Sequence, residues 1–273
     1  MKSLIFFYQD FNRLKTVNDV FSGIKDFYEI RSIASENVLL EELDKKKYDY
    51  IVHEENDLEN IKSRYTDTEF MYYKPEDLDE PVQGSESYNT SFYTLCKIFE
   101  NPSAEIACKI IKDVLEPENI IDIGCGCGIY IEQFQKLNID SVGLDSSKDA
   151  IKLCSPIVKT YHWEIGQDSP CSKKFDTAIC FEVAEHIPND MSEKLVEFLT
   201  TNANRIIFSS APPGQGGFGH INEQPYEFWI SLFEDKNFIH MEEKSTKIKN
   251  LFREALVIDW LTNNINIFER KKI

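Results

Sequence analysis

From residue 120 onward, short apolar runs alternate with segments whose apolar residues recur every three or four positions. Runs of roughly four to eight apolar residues bounded by turn residues are typical of buried strands, and the longer periodic segments are typical of amphipathic helices. The predicted strands span residues 120–123, 141–144, 160–165, 177–181 and 205–209. The predicted helices span residues 92–99, 104–115, 129–137, 148–154 and 192–200. This order predicts an α/β fold with a Rossmann-like, doubly wound, mostly parallel sheet and helices on both faces.

The first part of the chain shows the same alternation over shorter segments. The predicted strands span residues 4–8, 29–33 and 48–53, and the predicted helices span residues 17–27 and 39–44. This alternation predicts a small N-terminal α/β unit. Because no nucleotide-binding motif lies in this part of the chain, we expect the unit to shape the substrate site or to bind a partner.

A polar stretch separates the two parts of the chain. Residues 74–87 contain two prolines and Gly84 among many acidic residues. Segments that link domains are typically exposed and rich in proline, glycine and polar residues. We therefore place a boundary near Gly84, with an accessory domain over residues 1–83 and a larger catalytic domain over residues 84–273.

The composition is that of a globular protein with an acidic surface. Hydrophobic residues make up 42% of the chain and charged residues 28%, and the formal net charge at pH 7 is -17. Such a charge repels polyanions, because proteins bind nucleic acids through Lys and Arg side chains that replace counterions on the phosphates. The Lys-rich stretches at residues 45–47, 244–249 and 270–272 are typical of solvated surfaces. A nucleic-acid substrate is therefore not expected.

No apolar run reaches the roughly 20 residues needed to cross a bilayer. The apolar residues 4–8 are followed at once by Gln9 and Asp10, so they predict a buried strand rather than a signal peptide. The cysteines, seven in number and without regular spacing, indicate reduced thiols. We expect a soluble, cytoplasmic protein, and the sequence carries no signal that fixes its oligomeric state.

A glycine-rich turn follows the predicted strand at residues 120–123. Residues 124–128 read Gly-Cys-Gly-Cys-Gly and lead into a predicted helix. Glycines suit this turn because they allow unusual backbone conformations and let a ligand approach the backbone closely. Dinucleotide-binding loops place their last glycine further along the chain, and Asp122 before the turn suits a cationic cofactor better than a pyrophosphate. A zinc site is not expected, because the two cysteines lack a second pair of ligands.

A second acidic residue follows the next predicted strand. Asp145 ends this strand about 20 residues after the turn, where a carboxylate can bind both hydroxyls of a ribose. Strand, glycine turn, helix, strand and terminal acid in this order resemble the class I methyltransferases, over residues 87–268. The resemblance implies S-adenosylmethionine as the methyl donor. It also implies cofactor-binding roles for Asp122, Gly124, Gly126, Gly128, Asp145, Ser146, Glu164 and Phe181.

The family usually has an acidic residue after the third strand that holds the adenine amine. Glu164, beside Trp163, is the better match to that position, and Asp168 is the second candidate. Acidic residues are abundant on the surface of this protein, so a solvated Glu164 and a Trp163 that belongs only to the core are the alternative interpretation.

Polar residues also follow the fourth strand of the predicted sheet. Residues 175–181 resemble the fourth strand of the same family and precede Glu182, Glu185 and His186. Ligands bind beyond the carboxyl ends of strands in such sheets. These side chains either shape the cofactor pocket or, joined by His220, hold a divalent cation such as Mg, Mn or Zn. The second arrangement is similar to that of the metal-dependent 2′-O-methyltransferases of small RNA ends and of the ubiquinone-pathway O-methyltransferases.

The segment around His220 is rich in glycine and proline, which is typical of a mobile lid or of a backbone that touches a ligand. We expect His220 and Asn222 to face the substrate and Pro225 to begin a helix. The aromatic residues of this helix are expected in the core, and they are Tyr226, Phe228 and Trp229.

Methyl transfer to a hydroxyl requires a group that removes the hydroxyl proton, and histidine can do so near neutral pH. The candidate catalytic residues are His186, His220 and Glu185, and the candidate metal ligands are Glu182, Glu185, His186 and His220. The sequence favours O-methylation of a small-molecule or glycan hydroxyl. Two alternatives stay open: a metal-assisted 2′-O-methyltransferase acting on RNA, and a non-catalytic binding protein that kept the fold.

Overall fold

The structure, a computed structural model, describes residues 2–7, 28–33, 36–48, 50–53, 58–72, 90–217 and 219–271. The chain divides into two compact units, one of Met1–Glu80 with Thr90–Leu95 and the other of Pro81–Asn89 with Cys96–Ile273. The boundary predicted near Gly84 and the helix predicted at residues 17–27 lie outside the described residues. Within the described part of the chain, no helix is long and apolar enough to span a membrane.

The first unit contains a parallel sheet with the strand order β2-β1-β3-β4. Its strands are β1 (Lys2–Phe7), β2 (Tyr28–Ile33), β3 (Tyr50–His53) and β4 (Glu69–Tyr72), and its helices include α1 (Glu36–Lys45) and α2 (Glu59–Lys62). Side chains of both helices pack with β3 in one apolar cluster of Leu39, Leu43, Tyr48, Ile51, Leu58 and Ile61. The small α/β unit expected from the sequence is therefore confirmed.

The second unit is built on a seven-stranded sheet with the order β10-β11-β9-β8-β5-β6-β7. The strands are β5 (Asn119–Ile123), β6 (Asp140–Asp145), β7 (Lys159–His162), β8 (Phe175–Phe181), β9 (Ala203–Ser209), β10 (Phe238–His240) and β11 (Asn266–Arg270). Strands β5 to β9 pair in parallel, whereas β11 pairs antiparallel with β9 and with β10. The predicted doubly wound, mostly parallel sheet is confirmed.

Helices accompany this sheet along the chain. They are α3 (Thr90–Leu115), α4 (Ile129–Lys136), α5 (Lys148–Lys152), α6 (Ser192–Asn202), α7 (Tyr226–Asp235), α8 (Glu242–Glu254) and α9 (Asp259–Asn264). The central strands β5, β8 and β9 have nearly continuous buried apolar residues, as expected for parallel strands that helices cover on both faces. Helix α7 contributes Trp229 and Phe233 to the core, where Phe233 stacks on Phe268 with ring centroids 4.1 Å apart. The expected helix start after Pro225 and the packing of its aromatic residues are confirmed.

The sequence predicted two helices where the structure has the single helix α3, with Pro102 inside it. A proline inside a helix costs about 3 kcal/mol, because it lacks an N–H and its ring clashes with the preceding turn. The helix continues past it because Ala104, Ala107 and Ile111 form a fully buried stripe. Strand β7 is shorter than the predicted 160–165, since Trp163 turns inward and its ring packs 4.1 Å from that of Phe198.

Candidate active site

The glycine turn after β5 leads directly into α4. The Gly124 N–H donates to the carbonyl of Leu144 at 2.8 Å, which ties the turn to the end of β6. Gly128 occupies the N-cap of α4 with φ 76°, a left-handed conformation that favours glycine. A Cβ on Gly124, which also has a positive φ, would lie 2.3 Å from Cγ2 of Val183. The turn therefore requires glycine for both conformation and space.

Asp145 fixes the turn from the neighbouring strand. Its Oδ2 accepts a hydrogen bond from the Gly126 N–H at 2.8 Å, and its Oδ1 accepts one from the Ser147 N–H at 2.7 Å. Burial raises the pKa of this carboxyl, while the two backbone donors act in the opposite direction. Ser146, the next residue, is exposed beside this buried acid. The structure thus brings Asp145, the predicted ribose ligand, and its neighbour Ser146 to the edge of the glycine turn.

Asp122 is a buried acid with one carboxyl oxygen that lacks a hydrogen-bond partner in the described part of the chain. Its side chain is 2% exposed, and its Oδ2 has no hydrogen-bond partner among the residues that the structure describes. Burial raises the pKa of Asp122 well above the ordinary range, and the nearby carboxyls of Asp145 and Glu100 raise it further. A buried carboxyl of this kind has a strong preference for a cationic partner.

Glu100 on α3 is an acidic residue of this region that the sequence did not point to. Burial raises its pKa to about 7, the Cys96 thiol acts in the opposite direction through a hydrogen bond, and Glu182 raises it. Glu100 also raises the pKa of Asp122 and of Tyr130, so it lies close to both. No motif marks this position, because it belongs to a helix that precedes the glycine turn.

The remaining predicted cofactor residues lie at the ends of β7 and β8. Glu164 is exposed, with its Oε1 4.0 Å from Nε2 of His162. Phe181 is buried and its ring meets that of Tyr130 edge-on, with centroids 5.0 Å apart. Their contacts with a cofactor stay predictions, as does the role of Asp168, which is also exposed.

Glu185 joins the loops that follow β8 and β9. It lies in a short 3-10 turn, Ala184–His186, and its Oε1 accepts a hydrogen bond from the Ala211 N–H at 3.2 Å. Its carbonyl accepts bonds from the N–H groups of Ile221 and Asn222, both at 2.9 Å. Burial raises the pKa of Glu185 to about 9, and the adjacent carboxyl of Glu182 also raises it. Glu185 therefore connects the loop that follows β8 with the loop that follows β9.

Three of the four predicted metal ligands form a compact group. One ligand atom from each of Glu185, His186 and His220 lies within 4.8 Å of the other two. The two imidazole rings meet edge-on with centroids 4.9 Å apart, and Nδ1 of His186 lies 3.3 Å from the carbonyl oxygen of Gly219. Burial lowers the pKa of His186 to about 4, so this imidazole is neutral at pH 7 and offers a lone pair.

Glu182, the fourth predicted ligand, lies beside this group and has protein partners of its own. The Asn264 side-chain amide donates to both of its carboxylate oxygens, at 3.2 and 3.3 Å, and the Gln215 amide donates at 3.3 Å. Its backbone has φ 49°, and its N–H donates to Ser209. Asn264 and Gln215 were not expected at the site, because isolated amides in a sequence carry no functional signal.

The loop after β9 supplies two further polar residues. Glu223 accepts a hydrogen bond from Nδ1 of His220 at 2.8 Å, which the sequence did not indicate. Asn222, which was expected to face the substrate, is buried instead, and its amide donates to the carbonyl of Ala184 and to the Ser192 hydroxyl. The amide holds the loop against the 3-10 turn, because a buried amide needs hydrogen-bond partners.

The fold and the site together define a class of protein. A mostly parallel seven-stranded sheet, a glycine turn at the carboxyl end of a central strand and acids at the neighbouring strand ends are the features of a Rossmann-like methyltransferase. The sequence matches a family model described as a methyltransferase domain over residues 101–255, more than half of the chain. The chain belongs to this family of methyltransferase domains.

Curated relatives agree with this assignment. A ubiquinone biosynthesis O-methyltransferase of Hydrogenovibrio crunogenus is 24% identical over 166 residues, which are 56% of this chain and 64% of the relative. A ubiquinone biosynthesis O-methyltransferase of Proteus mirabilis is 22% identical over 158 residues, 55% of this chain and 61% of the relative. The chain thus spans slightly less than two thirds of the length of these relatives.

The CcbJ methyltransferase from Streptomyces caelestis has a similar fold. It superimposes with a TM-score of 0.51 at 8% sequence identity, over 64% of this chain and 92% of that chain. At this identity the similarity concerns the fold alone.

Proposed function

We propose that this methyltransferase transfers a methyl group to a hydroxyl oxygen of a small molecule or glycan. The grouping of Glu185, His186 and His220 beyond the carboxyl ends of β8 and β9 carries this proposal. Acceptors bind at this edge of doubly wound sheets, and imidazoles are suited to take a proton from a hydroxyl. The names of the curated relatives, which are O-methyltransferases, support the same reaction class.

The residues around the glycine turn fit S-adenosylmethionine. When bound, this cofactor supplies an electrophilic methyl group on a sulfonium centre. Asp122, whose buried Oδ2 has no partner among the described residues, is suited to the cofactor's ammonium group. Gly124 lacks the Cβ that would obstruct a close approach, and Asp145, at the edge of the same turn, is suited to the ribose hydroxyls. The exposed Ser146 and Glu164 and the ring of Phe181 complete the proposed binding set.

His220 is the better candidate for the base that accepts the hydroxyl proton. Its Nδ1 is paired with the carboxylate of Glu223, which stabilises the imidazolium formed when the other nitrogen takes a proton. In contrast, Nδ1 of His186 faces the neutral carbonyl of Gly219. His186 and Glu185 then hold the acceptor in line with the methyl group, and positioning of this kind supplies much of the rate enhancement.

The same group also fits a divalent cation. One carboxylate and two imidazoles form a donor set that suits Mg, Mn or Zn, and their ligand atoms lie within 4.8 Å of one another. Glu182 would be a fourth ligand only after release from Asn264 and Gln215. Bound there, a cation would lower the pKa of the acceptor hydroxyl.

Isotope-labelled cofactor can test this proposal directly. The full chain would be incubated with S-adenosylmethionine carrying a ¹³C methyl group and a panel of glycans, phenols and their amine analogues. The assay would be run with EDTA and again with added Mg, Mn or Zn. Carbon NMR then reports whether the methyl group is attached to oxygen or nitrogen. We expect the labelled methyl group on oxygen, and we expect His220→Gln to abolish the transfer. The control is His240, a histidine on the edge strand β10, and His240→Gln should retain the transfer. Labelled methyl on nitrogen alone, or cofactor binding without any transfer, would contradict the proposal.

A further inference from the structure

The carboxylate of Glu223 organises the glycine-rich segment after β9. We call residues 212–217 the glycine loop. The Gly214 N–H donates to Oε2 of Glu223 and the Gly216 N–H donates to Oε1, both at 2.7 Å. The residues of this loop are exposed, and three of them carry no side chain that could bury apolar surface. Hydrogen bonds therefore replace packing as the source of order in the loop, and two of them are made to this one carboxylate.

The same carboxylate binds the imidazole of His220. Oε1 of Glu223 lies 2.8 Å from Nδ1 of His220. Both oxygens of this carboxylate also accept backbone N–H groups, the arrangement of an ionised carboxylate. An ionised carboxylate only accepts hydrogen bonds, so Nδ1 must carry the proton. In a neutral imidazole the lone pair then resides on Nε2.

The loop backbone also covers the ring of His220. A Cβ built on Gly217 would lie 2.3 Å from Nε2 and 2.5 Å from Cε1 of His220. This contact is independent of the hydrogen bonds to Glu223. A larger residue at position 217 would therefore displace either the imidazole or the loop.

We propose that Glu223 is a positioning residue that fixes His220 in the Nδ1–H tautomer and couples this tautomer to the order of the glycine loop. The importance of His220 to catalysis rests on the proposed function, whereas the tautomer and the order of the loop are properties of the free chain. A carboxylate that orients a histidine through its second nitrogen is a common device both for bases and for metal ligands. Glu223 thus prepares Nε2 to accept a proton or a cation.

The tautomer can be read by NMR in the full chain labelled with ¹⁵N-histidine. The measurement would be made with EDTA at about pH 8, where unperturbed imidazoles are neutral. A His220→Gln variant assigns the signals. We expect wild-type His220 to show a protonated Nδ1 and an unprotonated Nε2. In Glu223→Ala we expect the tautomer population of His220 to shift toward the Nε2–H form. The control is Glu227, an exposed glutamate in the first turn of α7, and Glu227→Ala should leave this population unchanged.

Hydrogen exchange tests whether Glu223 maintains the order of the glycine loop. In Glu223→Ala the Gly214 and Gly216 amides should exchange at least about tenfold faster, since each loses its acceptor. A protonated Nε2 in the wild-type chain would overturn the proposal even if Glu223→Ala did not fold. Unchanged exchange or an unchanged tautomer in a folded Glu223→Ala chain would overturn it as well. Both measurements omit cofactor and acceptor, so they remain decisive if the chain methylates no hydroxyl.

Discussion

Asn264 donates its side-chain amide to both carboxylate oxygens of Glu182, at 3.2 and 3.3 Å. Asn264 ends helix α9, and Glu182 directly follows β8. The same amide donates to Oε1 of Gln215 at 2.9 Å, so the C-terminal helix reaches the glycine loop as well. Glu182 has a positive φ without being glycine, a conformation that needs support from its surroundings. Asn264 supplies part of this support.

We therefore expect Asn264→Ala to lower the free energy of unfolding by about 1.5–3 kcal/mol, the usual contribution of a hydrogen bond to a charged group. Urea denaturation measures this change. The exposed neighbour Asn263 is the matched control, and Asn263→Ala should stay within about 0.5 kcal/mol of the wild type. A double-mutant cycle with Glu182→Gln should give a coupling energy of about 1 kcal/mol. A coupling near zero would show that the contact does not contribute.

The pKa of Glu100 predicts a pH dependence of stability. Its pKa is about 7 in the folded chain, against an ordinary value of 4.5. Because the folded state holds this proton more tightly than the unfolded state, Glu100 contributes stability that is complete below pH 4.5 and is lost as the pH rises to about 7. Glu100→Gln removes this dependence. As the pH rises from 4.5 to about 7, we expect the free energy of unfolding of the variant to rise by roughly 2 kcal/mol relative to that of the wild type.

Chemical denaturation of both chains at several pH values measures this difference. Comparison with the wild type at each pH removes the effect of the general repulsion in a chain of net charge -17. Glu105→Gln is the control, because Glu105 is an exposed acid on the same helix. A difference that does not change with pH would mean that Glu100 titrates normally.

The cofactor side of the fold could be predicted because its signals are local. Gly126 and Asp145 are separated by 19 positions, and each lies where the apolar pattern shows that an element begins or ends. The order of strand, turn and helix is confirmed, while the ligand contacts of these residues stay predictions. The start of α7 after Pro225 was predictable for the same reason, since proline is suited to the beginning of a helix.

The polar residues beyond the carboxyl ends of β8 and β9 could be predicted only in part. His186 and His220 stand out as rare residues near strand ends, and the structure brings them together. Asn264 lies 82 positions from Glu182, and no local pattern connects a surface amide with a distant carboxylate. The single helix α3 was missed because Pro102 is a helix breaker by its local chemistry, and only tertiary burial of the stripe behind it opposes that effect.

The packing of helix α7 against the sheet gives a third prediction. Phe233 is fully buried, with its ring 4.1 Å from that of Phe268 and 5.4 Å from that of Phe208. Phe233→Ala leaves a cavity between α7 and the sheet, and we expect a loss of about 3–5 kcal/mol in the free energy of unfolding. Leu256→Ala, at a leucine that is 64% exposed, should change it by less than about 0.5 kcal/mol. Equal effects of the two substitutions would contradict the packing described.

The requirement for glycine at position 124 can be separated into conformation and space. Gly124 has φ +74°, and a Cβ there would lie 2.3 Å from Cγ2 of Val183. Gly214 has φ +88° but no atom within 4 Å of a Cβ, so Gly214→Ala measures the conformational cost alone, about 1–2 kcal/mol. We expect Gly124→Ala to cost more than this in urea denaturation and to weaken S-adenosylmethionine binding at least about tenfold by calorimetry, because the turn must shift.

The substitution Val183→Ala removes the methyl groups that a Cβ on Gly124 would meet. If the clash is the main cause, the double variant Gly124→Ala/Val183→Ala should be more stable than the two single effects added together. It should also recover part of the cofactor affinity, since the turn can return to its position against β6. Strictly additive losses would instead mean that the positive φ of Gly124 is the whole requirement, and that Val183 can move aside without cost.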